Sequence, residues 1–387
     1  MLKYRKEFRG PARSRFAERW EMARMLQMPV YSTPDFSLPR FLQAPEITAE
    51  PAPGDGILPD DFYATTIYPE YFKIAGEWRL IRNPRMDCAV VLRNGVPFAV
   101  EPRRISAGEL VVTGRCDDGS RGAFVNYDAF SSKEGDAEQT FAFRKGRSRE
   151  SSYSADYDQL YDVLRHDRDD GYIVWVLGPA VDFDYDARAA FASLVRNGYA
   201  DAVFGGNALA THDLEAALYH TGLGQDIYTK ELVPNGHYHH LQTINLVRRA
   251  GSIKDLVEQR KLDDGIMAAC VHKGVPFVLA GSIRDDGPLP DVIGNVYDSQ
   301  NAMREHTKKA TTVICLATQL HTIATGNMTP SWQIREGKIR PVFIYTVDIS
   351  EFAVNKLRDR GSLSVNSIVT NIQDFLVHTE RNLISNV

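Results

Sequence analysis

Tyr172-Ile173-Val174-Trp175-Val176-Leu177-Gly178-Pro179 is the stretch of sequence that decides the fold. Its apolar run, ended by a helix-breaking Gly-Pro pair, predicts a strand that is buried on both faces. The next segment, 186–196, has helical spacing and is followed by Asn197-Gly198, which is a helix-stop signal. A second apolar strand is predicted at Ala202-Val203-Phe204. This alternation predicts a parallel sheet with helices on both faces.

Helices and apolar strands continue to alternate towards the C-terminus. A helix is predicted over 207–219, and further apolar strands are predicted at 275–279, 312–316 and 342–347. A glycine-rich or helical segment follows each of these strands. The pattern predicts an α/β fold in which ligands bind beyond the carboxyl ends of the strands.

The sequence before this region has a different pattern of apolar runs. Short β-type runs recur between residues 62 and 143, and Asn94-Gly95 joins two of them. This pair predicts a hairpin because both residues tolerate a positive φ. A smaller β-rich domain is therefore predicted over 58–150. The Pro- and Gly-rich segment 31–61 predicts either an extended linker or an arm along the protein surface.

The first 25 residues mix basic and aromatic side chains with three glutamates. This composition favours an amphipathic arm, docked on the body of the protein or on another subunit, over an organellar presequence. The predicted boundaries are 1–57 for the arm and linker, 58–150 for the β-rich domain and 151–387 for the catalytic domain.

The overall composition is that of an ordinary globular protein, with 387 residues of which 43% are hydrophobic and 25% charged. A net charge of -5 gives no general attraction to nucleic acids or acidic membranes. No apolar run approaches the roughly 20 residues that span a bilayer. The four cysteines lack paired CxxC spacing, which favours buried thiols in a reducing cytosol over zinc or disulfide use. A cytoplasmic protein without nucleic-acid or membrane partners is expected.

Two glycines and Asn207 follow the predicted strand that ends at Phe204. Glycines let a ligand approach the backbone, and the start of a helix offers free N–H groups to an anion. The turn is therefore either a phosphate or pyrophosphate site or a tight turn with Asn207 as the helix N-cap. The GxGxxG fingerprint of ordinary dinucleotide-binding folds is absent.

The charged loop Gly281-Ser282-Ile283-Arg284-Asp285-Asp286-Gly287 follows another predicted strand. A solvated loop would also be charged, but an arginine beside two carboxylates at the ligand-facing edge favours a site. Arg284 would hold a substrate carboxylate with its guanidinium fork. Asp285 or Asp286 would bind a substrate ammonium or take its proton.

Three of the ten histidines lie in Asn235-Gly236-His237-Tyr238-His239-His240. Because no cysteine or paired carboxylate lies at ligand spacing nearby, substrate-carboxylate binding or proton transfer is favoured over a metal site. Asp348 ends another predicted strand, where an acidic side chain binds a ribose hydroxyl pair or caps the next helix. Both interpretations of Asp348 stay open.

Several long and unusual strings occur together in one known family. They are Leu58-Pro59-Asp60-Asp61-Phe62-Tyr63, Met86-Asp87-Cys88-Ala89-Val90, Gly206-Asn207-Ala208-Leu209-Ala210 with His212-Asp213, Gly236-His237 with His239-His240-Leu241, Ile244-Asn245, Val278-Leu279-Ala280, Gly326-Asn327-Met328 and Asp359-Arg360-Gly361-Ser362. In these strings the chain resembles, over about 58–376, the NAD-dependent ornithine cyclodeaminases that carry the LOR/SDH bifunctional enzyme conserved domain. The resemblance implies a β-rich N-terminal domain beside a Rossmann-like, deoxyhypusine-synthase-like domain that binds NAD tightly.

The resemblance also implies a reaction without net oxidation. NAD takes a hydride from Cα of ornithine, the δ-amine attacks the resulting 2-imine, ammonia leaves, and return of the hydride gives proline. Such chemistry needs a carboxylate anchor, a base for the ammonium and a dry pocket.

The residue patterns and the resemblance together predict three sets of site residues and no metal. The catalytic set is Arg284, Asp285, Asp286 and His240. The cofactor set is Gly205, Gly206, Asn207, Ala208, Asp213, Gly281, Ser282, Ile283 and Asp348. The substrate-binding set is His237, His239 and Asn245.

The chain departs from the family in three places. Val181-Asp182-Phe183-Asp184 stands where the family has a Val-Val-His-Thr-Gly-like segment, Val369-Thr370-Asn371-Ile372 replaces a Val-Thr-Asp-Val-like string, and Asn355-Lys356-Leu357 replaces Thr-Lys-Leu. These changes affect the predicted substrate more than NAD, so a related diamino acid is an alternative to ornithine. An NAD-dependent amino- or imino-acid dehydrogenase and a non-catalytic NAD-binding regulatory protein are alternative functions. A homo-oligomer is expected.

Overall fold

The structure is a computed structural model that describes residue 26 and residues 28–130, 154–285, 287–350 and 363–385. The predicted N-terminal arm over 1–25, the predicted catalytic Asp286 and the departure at 355–357 lie outside the described residues. No helix in the described ranges is long and apolar enough to cross a membrane.

The first described region is rich in antiparallel strands. Its elements are α1 (Pro39–Leu42), β1 (Thr48–Pro51), β2 (Glu70–Ile74), β3 (Glu77–Leu80), β4 (Ala89–Arg93), β5 (Val96–Val100), β6 (Leu110–Thr113) and β7 (Ala123–Val125). They form a four-stranded sheet in the order β1-β6-β4-β5 and a three-stranded sheet in the order β3-β2-β7. Phe72, Val90 and Val112 contribute to one buried core. The predicted β-rich N-terminal domain is thus confirmed.

The β4–β5 hairpin turns at the predicted Asn94-Gly95 pair. Arg93 pairs with Val96, and the two turn residues have φ values of 52° and 73°. Positive φ at both central positions is the backbone that the right-handed twist of a two-residue hairpin requires. The sequence signal and the backbone therefore agree at this turn.

The segment 31–61 packs as an arm on the β-rich region. Phe36 stacks on Trp78 with ring centroids 5.1 Å apart, and Phe41 is buried. The Lys73 ammonium donates to the carbonyls of Leu42 and Ala44 at 2.8 and 2.7 Å. The arm also supplies β1, which pairs with β6 of the β-rich region.

The second described region alternates strands and helices. Its elements are α2 (Ser154–Asp170), β8 (Ile173–Leu177), α3 (Tyr185–Arg196), β9 (Ala202–Gly206), α4 (Asn207–Tyr219), β10 (Thr221–Gly222), β11 (Gln225–Asp226), α5 (His239–Ala250), α6 (Ile253–Arg260), α7 (Ile266–Lys273), β12 (Phe277–Ala280), β13 (Val292–Ile293), α8 (Val296–Thr307), β14 (Thr312–Leu316), α9 (Gln319–Met328), β15 (Trp332–Arg335), β16 (Lys338–Pro341), β17 (Phe343–Asp348), β18 (Val365–Val369) and α10 (Ile372–Glu380).

Seven of these strands form one parallel sheet in the order β13-β12-β9-β8-β14-β17-β18. Strand β8 lies in its centre, and every side chain of β8 is buried. Trp175 fits this position because its indole N–H donates to the Tyr199 carbonyl at 2.7 Å. Each fully buried Val, Leu or Ile side chain of such a strand contributes about 1.5–3 kcal/mol to folding. The predicted α/β class with a parallel sheet is confirmed.

Strands β15 and β16 join the two regions as an antiparallel hairpin. Trp332 at the start of β15 is buried in the core of the β-rich region. On the other side, the Arg335 guanidinium donates to the Gly171 carbonyl just before β8 at 3.1 Å. The Arg85 guanidinium adds a bond to the Asn327 carbonyl at 2.9 Å. These contacts fix the β-rich region against the sheet.

Candidate active site

The carboxyl edge of the parallel sheet holds most of the predicted site residues. Strands β12, β9, β8 and β14 are neighbours there. The Gly178 N–H donates to the Leu316 carbonyl at 2.8 Å. A Cβ at Gly178 would lie 2.1 Å from the Ala317 carbonyl oxygen, so only glycine permits this approach. The ends of β8 and β14 are therefore in direct backbone contact.

Helix α4 begins directly after β9, as predicted, but Asn207 is not its N-cap. The N-cap is Gly206, without a side-chain capping bond, and Asn207 is the first helical residue. The Asn207 Oδ1 instead accepts hydrogen bonds from the Leu289 N–H at 3.0 Å and from the Thr211 hydroxyl at 3.3 Å. The interpretation as an N-cap was wrong, because this side chain links the turn to the loop after β12. The first-turn N–H groups of α4 have no capping side chain.

The two glycines before Asn207 have different neighbours. A Cβ at Gly205 would lie 2.4 Å from Leu209 Cδ2, so Gly205 lets the first turn of α4 pack on the strand. The Cβ position of Gly206 is 3.5 Å from His321 Cε1 and 3.7 Å from the Ala280 carbonyl oxygen. His321 thus lies at the turn, although it is not among the predicted site residues. Its signal was the strand-end rule, since it lies in the first turn of the helix after β14.

The loop after β12 is held at its base and exposed at its tip. The Gly281 N–H donates to the Ile293 carbonyl at 2.9 Å, and Asp285 Oδ2 accepts from the Ser282 N–H at 2.8 Å. Ile283 is fully exposed, with a relative accessibility of 106%. Arg284 is also exposed. The loop therefore presents an apolar and a cationic side chain to the space outside the strand ends.

The Asp285 carboxylate acts electrostatically on His321. His321 is half-buried, and burial lowers the pKa of its imidazole while the Asp285 carboxylate acts in the opposite direction. A neutral imidazole suits proton transfer. The structure thus adds His321 to the residues near the predicted Asp285.

The three clustered histidines have three different environments. His237 is exposed, with its ring 4.2 Å from that of Tyr238. His239 stacks on Tyr219 at 4.4 Å, and its Nδ1 is 2.8 Å from the Thr221 hydroxyl. His240 is half-buried, and its Nδ1 has no hydrogen-bond partner among the described residues.

His240 belongs to a cluster with His212 and Glu215 of α4. Glu215 is fully buried; its Oε2 lies 3.0 Å from His212 Nδ1 and 3.9 Å from His240 Nδ1. The Thr221 hydroxyl donates to the other Glu215 oxygen at 3.0 Å. Burial and the neighbouring His212 lower the pKa of His240, while Glu215 raises it. His240 is thereby favoured as a neutral proton acceptor.

The same cluster contains donor atoms of the types that bind zinc. One ligand atom from each residue lies within 4.8 Å of the others. Two imidazoles and a carboxylate form a common catalytic zinc set. The sequence spacing around His240 gave no carboxylate, because Glu215 comes from another helix 25 residues earlier in the chain. As it stands, the direct His212–Glu215 bond satisfies these two groups without an ion.

Asp182 is a buried carboxylate beside this cluster. It is 1% exposed, and neither of its oxygens has a hydrogen-bond partner among the described residues. The next residue, Phe183, packs on the His212 ring at 4.9 Å. Burial and repulsion by Asp213 raise the pKa of Asp182 well above its usual range, against the attraction of Arg188. Asp182 is thus held mainly in its neutral form.

Asp213, predicted in the cofactor set, is a fully buried ion-pair residue. Its Oδ1 lies 2.6 Å from the Arg188 Nε and accepts from the Ile266 N–H at 2.9 Å. Its Oδ2 accepts from the Met267 N–H at 2.7 Å. Asp213 therefore holds the N-terminus of α7 to α3 and α4, and a direct contact with a cofactor stays a prediction.

Two further predicted residues lie apart from these clusters. Asp348 is half-buried, and its Oδ1 accepts from the Ser350 N–H at 2.8 Å, which is a local turn bond. Asn245 is exposed on α5. Three residues later on the same helix, Arg248 donates to the Pro288 carbonyl at 3.1 Å. Helix α5 thus runs beside the loop after β12.

A family model, the C-terminal Rossmann-fold domain of ArgZ-like arginine dihydrolases, matches residues 159–379. Among curated proteins, the ornithine cyclodeaminase of Methanopyrus kandleri is 42% identical over 334 residues, which cover 86% of this chain and 77% of that protein.

Two solved structures are similar over most of the chain. A conserved LOR/SDH protein from Methanococcus maripaludis has a TM-score of 0.78 and 36% identity, with coverage of 88% of this chain and 99% of that one. The ternary complex of AgrE with ornithine and NAD+ has a TM-score of 0.55 and 35% identity, with coverage of 90% of this chain and 48% of that one. The bifunctional arginine dihydrolase/ornithine cyclodeaminase AgrE is a protein of a Nostoc species.

Proposed function

Since the chain belongs to the family of ornithine cyclodeaminases that carry the LOR/SDH-type domain, we propose that it uses NAD to convert ornithine to proline and ammonia. A closely related diamino acid would give the corresponding cyclic imino acid and ammonia. The observation that carries this proposal is the 42% identity to an ornithine cyclodeaminase along 86% of the chain. The complex of AgrE with ornithine and NAD+ supports the choice of substrate and cofactor.

The residues at the carboxyl edge fit a dinucleotide. Gly206 and the uncapped first turn of α4, with Asn207 and Ala208, offer backbone N–H groups to a pyrophosphate. Gly281, Ser282 and Ile283 would cover the cofactor from the loop after β12, and Asp348 would bind a ribose. When bound, NAD supplies the reversible acceptance of a hydride from the substrate Cα.

The chain's own residues would bind the substrate and move its protons. Arg284 is exposed at the site and would pair with the substrate carboxylate. Asp285, with Asp286, would hold the α-ammonium and take its proton, and His321, on which the Asp285 charge acts, would exchange protons with Asp285. His240, favoured as neutral, would be a second base. His237, His239 and Asn245 would contribute to the rim of the pocket.

Turnover of ornithine by the purified protein tests the reaction type. The expected products are proline and ammonia in equal amounts, with no net formation of NADH. Stoichiometric NADH in place of proline would instead indicate a dehydrogenase. Absence of turnover with ornithine, lysine and 2,4-diaminobutyrate, together with bound NAD, would indicate a regulatory protein.

A matched pair of arginine variants tests the substrate site. Arg284→Ala should raise the KM for ornithine, because a charge-assisted bond to the substrate carboxylate is worth about 1.5–3 kcal/mol, or more than about tenfold. Arg249→Ala removes an exposed arginine from α5 and should leave the kinetics unchanged. Equal effects of the two variants would contradict the role of Arg284.

A further inference from the structure

A cavity of about 420 Å³ lies between the β-rich region and the parallel sheet. The β-rich region contributes the stretch 81–84 and Arg104, while the segments around α8 and β15 contribute the other side. Small-molecule sites commonly have volumes of about 300–1,000 Å³ and lie between domains. Size and position are therefore those of a ligand site.

This cavity lies at the amino edge of the sheet, opposite to the candidate active site. Lys308 and Lys309 line it and precede β14, and Gln333 of β15 donates to the Lys308 carbonyl at 2.6 Å. Arg335 of the same strand bonds to the Gly171 carbonyl, just before β8. The loops of the candidate active site lie at the other, carboxyl ends of the sheet strands. A ligand in this cavity would not occupy the proposed NAD or ornithine sites.

The lining of the cavity is strongly cationic, although the whole chain has a net charge of -5. Five lining side chains are cationic and one, Glu305, is a carboxylate. The cations are Arg82, Arg104, Arg304, Lys308 and Lys309. Glu305 pairs with Lys308. Among the described residues, no carboxylate lies within ion-pair distance of Arg82 or Lys309.

Beside the cavity, the Glu101 carboxylate contacts four guanidinium groups, of which those of Arg104 and Arg304 also line the cavity. Arg103 and Arg104 each lie 3.1 Å from Glu101 Oε2, Arg304 lies 3.6 Å from Oε1, and Arg85 also contacts Oε1. Burial and the neighbouring arginines lower the pKa of Arg85 to about 10 and also lower that of Arg304. The positive charge here exceeds what the described carboxylates neutralise.

Apolar side chains from both sides also line the cavity. They are Ile81, Pro84, Pro330 and Ile334, of which Ile334 is 43% exposed. A cavity lined by guanidinium and ammonium groups together with apolar side chains suits an organic anion. Guanidinium forks match the oxygen geometry of a phosphate.

We propose that this cavity, called here the interdomain basic pocket, binds a phosphate-bearing small molecule at a site separate from the active site. The anionic group would lie between Arg82, Arg104 and Lys309, where added negative charge relieves repulsion among the cations. The apolar lining residues would contact the organic part of a phosphate ester. Nucleotides and inorganic pyrophosphate share the required phosphate chemistry.

Calorimetric titration of the full chain with pyrophosphate and with ADP tests this proposal. Saturating NAD is present throughout, so that the dinucleotide site is occupied. Binding is expected, and it should weaken as the ionic strength rises. Tighter binding of ADP would identify a nucleotide-type ligand, whereas equal affinities would identify the phosphate groups alone as the determinant.

Charge-removal variants locate the binding. Arg82→Ala and Lys309→Ala should each weaken the affinity at least about fivefold, because each removes a charged partner of the phosphate. Lys254→Ala removes a lysine that is 68% exposed outside the pocket and should leave the affinity unchanged. Arg82 and Lys309 are both exposed, which makes folding of the variants a minor concern. The proposal is overturned if the unmodified protein binds neither probe, or if both pocket variants bind as tightly as Lys254→Ala.

Discussion

The side-chain oxygen of Asn207 accepts a hydrogen bond from the Leu289 N–H at 3.0 Å, across 82 residues of sequence. Asn207 begins the helix after β9, and Leu289 belongs to the loop after β12. Both residues are buried. This bond therefore ties the proposed NAD turn to the loop that carries Arg284 and Asp285.

Asn207→Ala is expected to loosen the loop after β12 and to lower the free energy of unfolding. Leaving the buried Leu289 N–H without a partner costs about 1–3 kcal/mol. The kcat/KM for ornithine should fall as well, since displacement of Arg284 weakens positioning of the substrate. Urea unfolding and steady-state kinetics measure the two effects.

Two further asparagine variants make this prediction specific. Asn197→Ala removes an exposed bond to the Ser193 carbonyl and should change neither stability nor kinetics by a comparable amount. Asn207→Asp keeps the acceptor for Leu289 but places a negative charge at the proposed phosphate site, so it should preserve stability and weaken NAD affinity. Equal NAD affinity in Asn207→Asp and the unmodified protein would contradict the proposed cofactor position.

The helix that begins at Asn207 was predictable to the residue, whereas the role of Asn207 was not. A fully apolar strand, two glycines and helical spacing are local signals, and they defined Asn207–Tyr219 correctly. The partner of the Asn207 side chain comes from a distant loop, so no local pattern reports it. The position of Glu215 beside His240 could not be predicted for the same reason, because it depends on how α4 packs against α5.

Strand β1 was not predicted, because its sequence lacks the pattern of a strand. Thr48–Pro51 lies in a Pro-rich stretch, and three of its four residues are exposed. It pairs with β6 at the edge of the four-stranded sheet. An exposed edge strand needs no apolar alternation, and proline is tolerated there, so its sequence resembles a linker. No local pattern therefore marks this stretch as a strand.

The pH dependence of turnover should report the titration of His240. Burial disfavours the charged imidazolium, so the pKa of His240 lies below its ordinary value of 6.5. If neutral His240 is a base, kcat/KM should rise with pH through this lowered pKa and be level at neutral pH. His240→Asn should remove that limb and lower kcat by about 10²–10⁴-fold.

The variant Glu215→Gln tests the same assignment through the pH dependence of kcat/KM. The Glu215 carboxylate raises the pKa of His240, so its removal should move the acidic limb to still lower pH. His272→Asn, on an exposed histidine that bonds to the Leu262 carbonyl, should leave the profile in place. Superimposable profiles for Glu215→Gln and the unmodified enzyme would remove His240 from the proposed mechanism.

Chelation should leave the reaction intact. The His212–Glu215 hydrogen bond of 3.0 Å already satisfies two of the three groups that would hold an ion. Activity after dialysis against EDTA is therefore expected to equal that of the untreated protein, and elemental analysis should find less than one zinc per chain. Loss of activity on chelation, restored by zinc, would show that the cluster is a metal site.

Replacement of Asp182 should make the protein more stable, and the gain should depend on pH. Asp182 is 1% exposed and has no hydrogen-bond partner among the described residues. Asp182→Val removes this buried, unsatisfied group and should raise the free energy of unfolding at pH 7 by about 1–3 kcal/mol.

The sign of the pH effect follows from the raised pKa of Asp182. The folded protein binds the Asp182 proton more tightly than the unfolded chain does, so ionisation above the unfolded pKa of about 3.9 destabilises the fold as the pH rises. The advantage of Asp182→Val should therefore shrink as the pH falls towards about 4.

Denaturant unfolding at several pH values measures the stability gain of Asp182→Val, with Asp60→Val as the same change at an exposed position. A pH-independent gain would mean that folding does not raise the pKa of Asp182, and a loss of stability would mean that its carboxylate is paired in solution. An increased KM for ornithine in the stabilised variant would further indicate that this carboxylate binds the substrate ammonium.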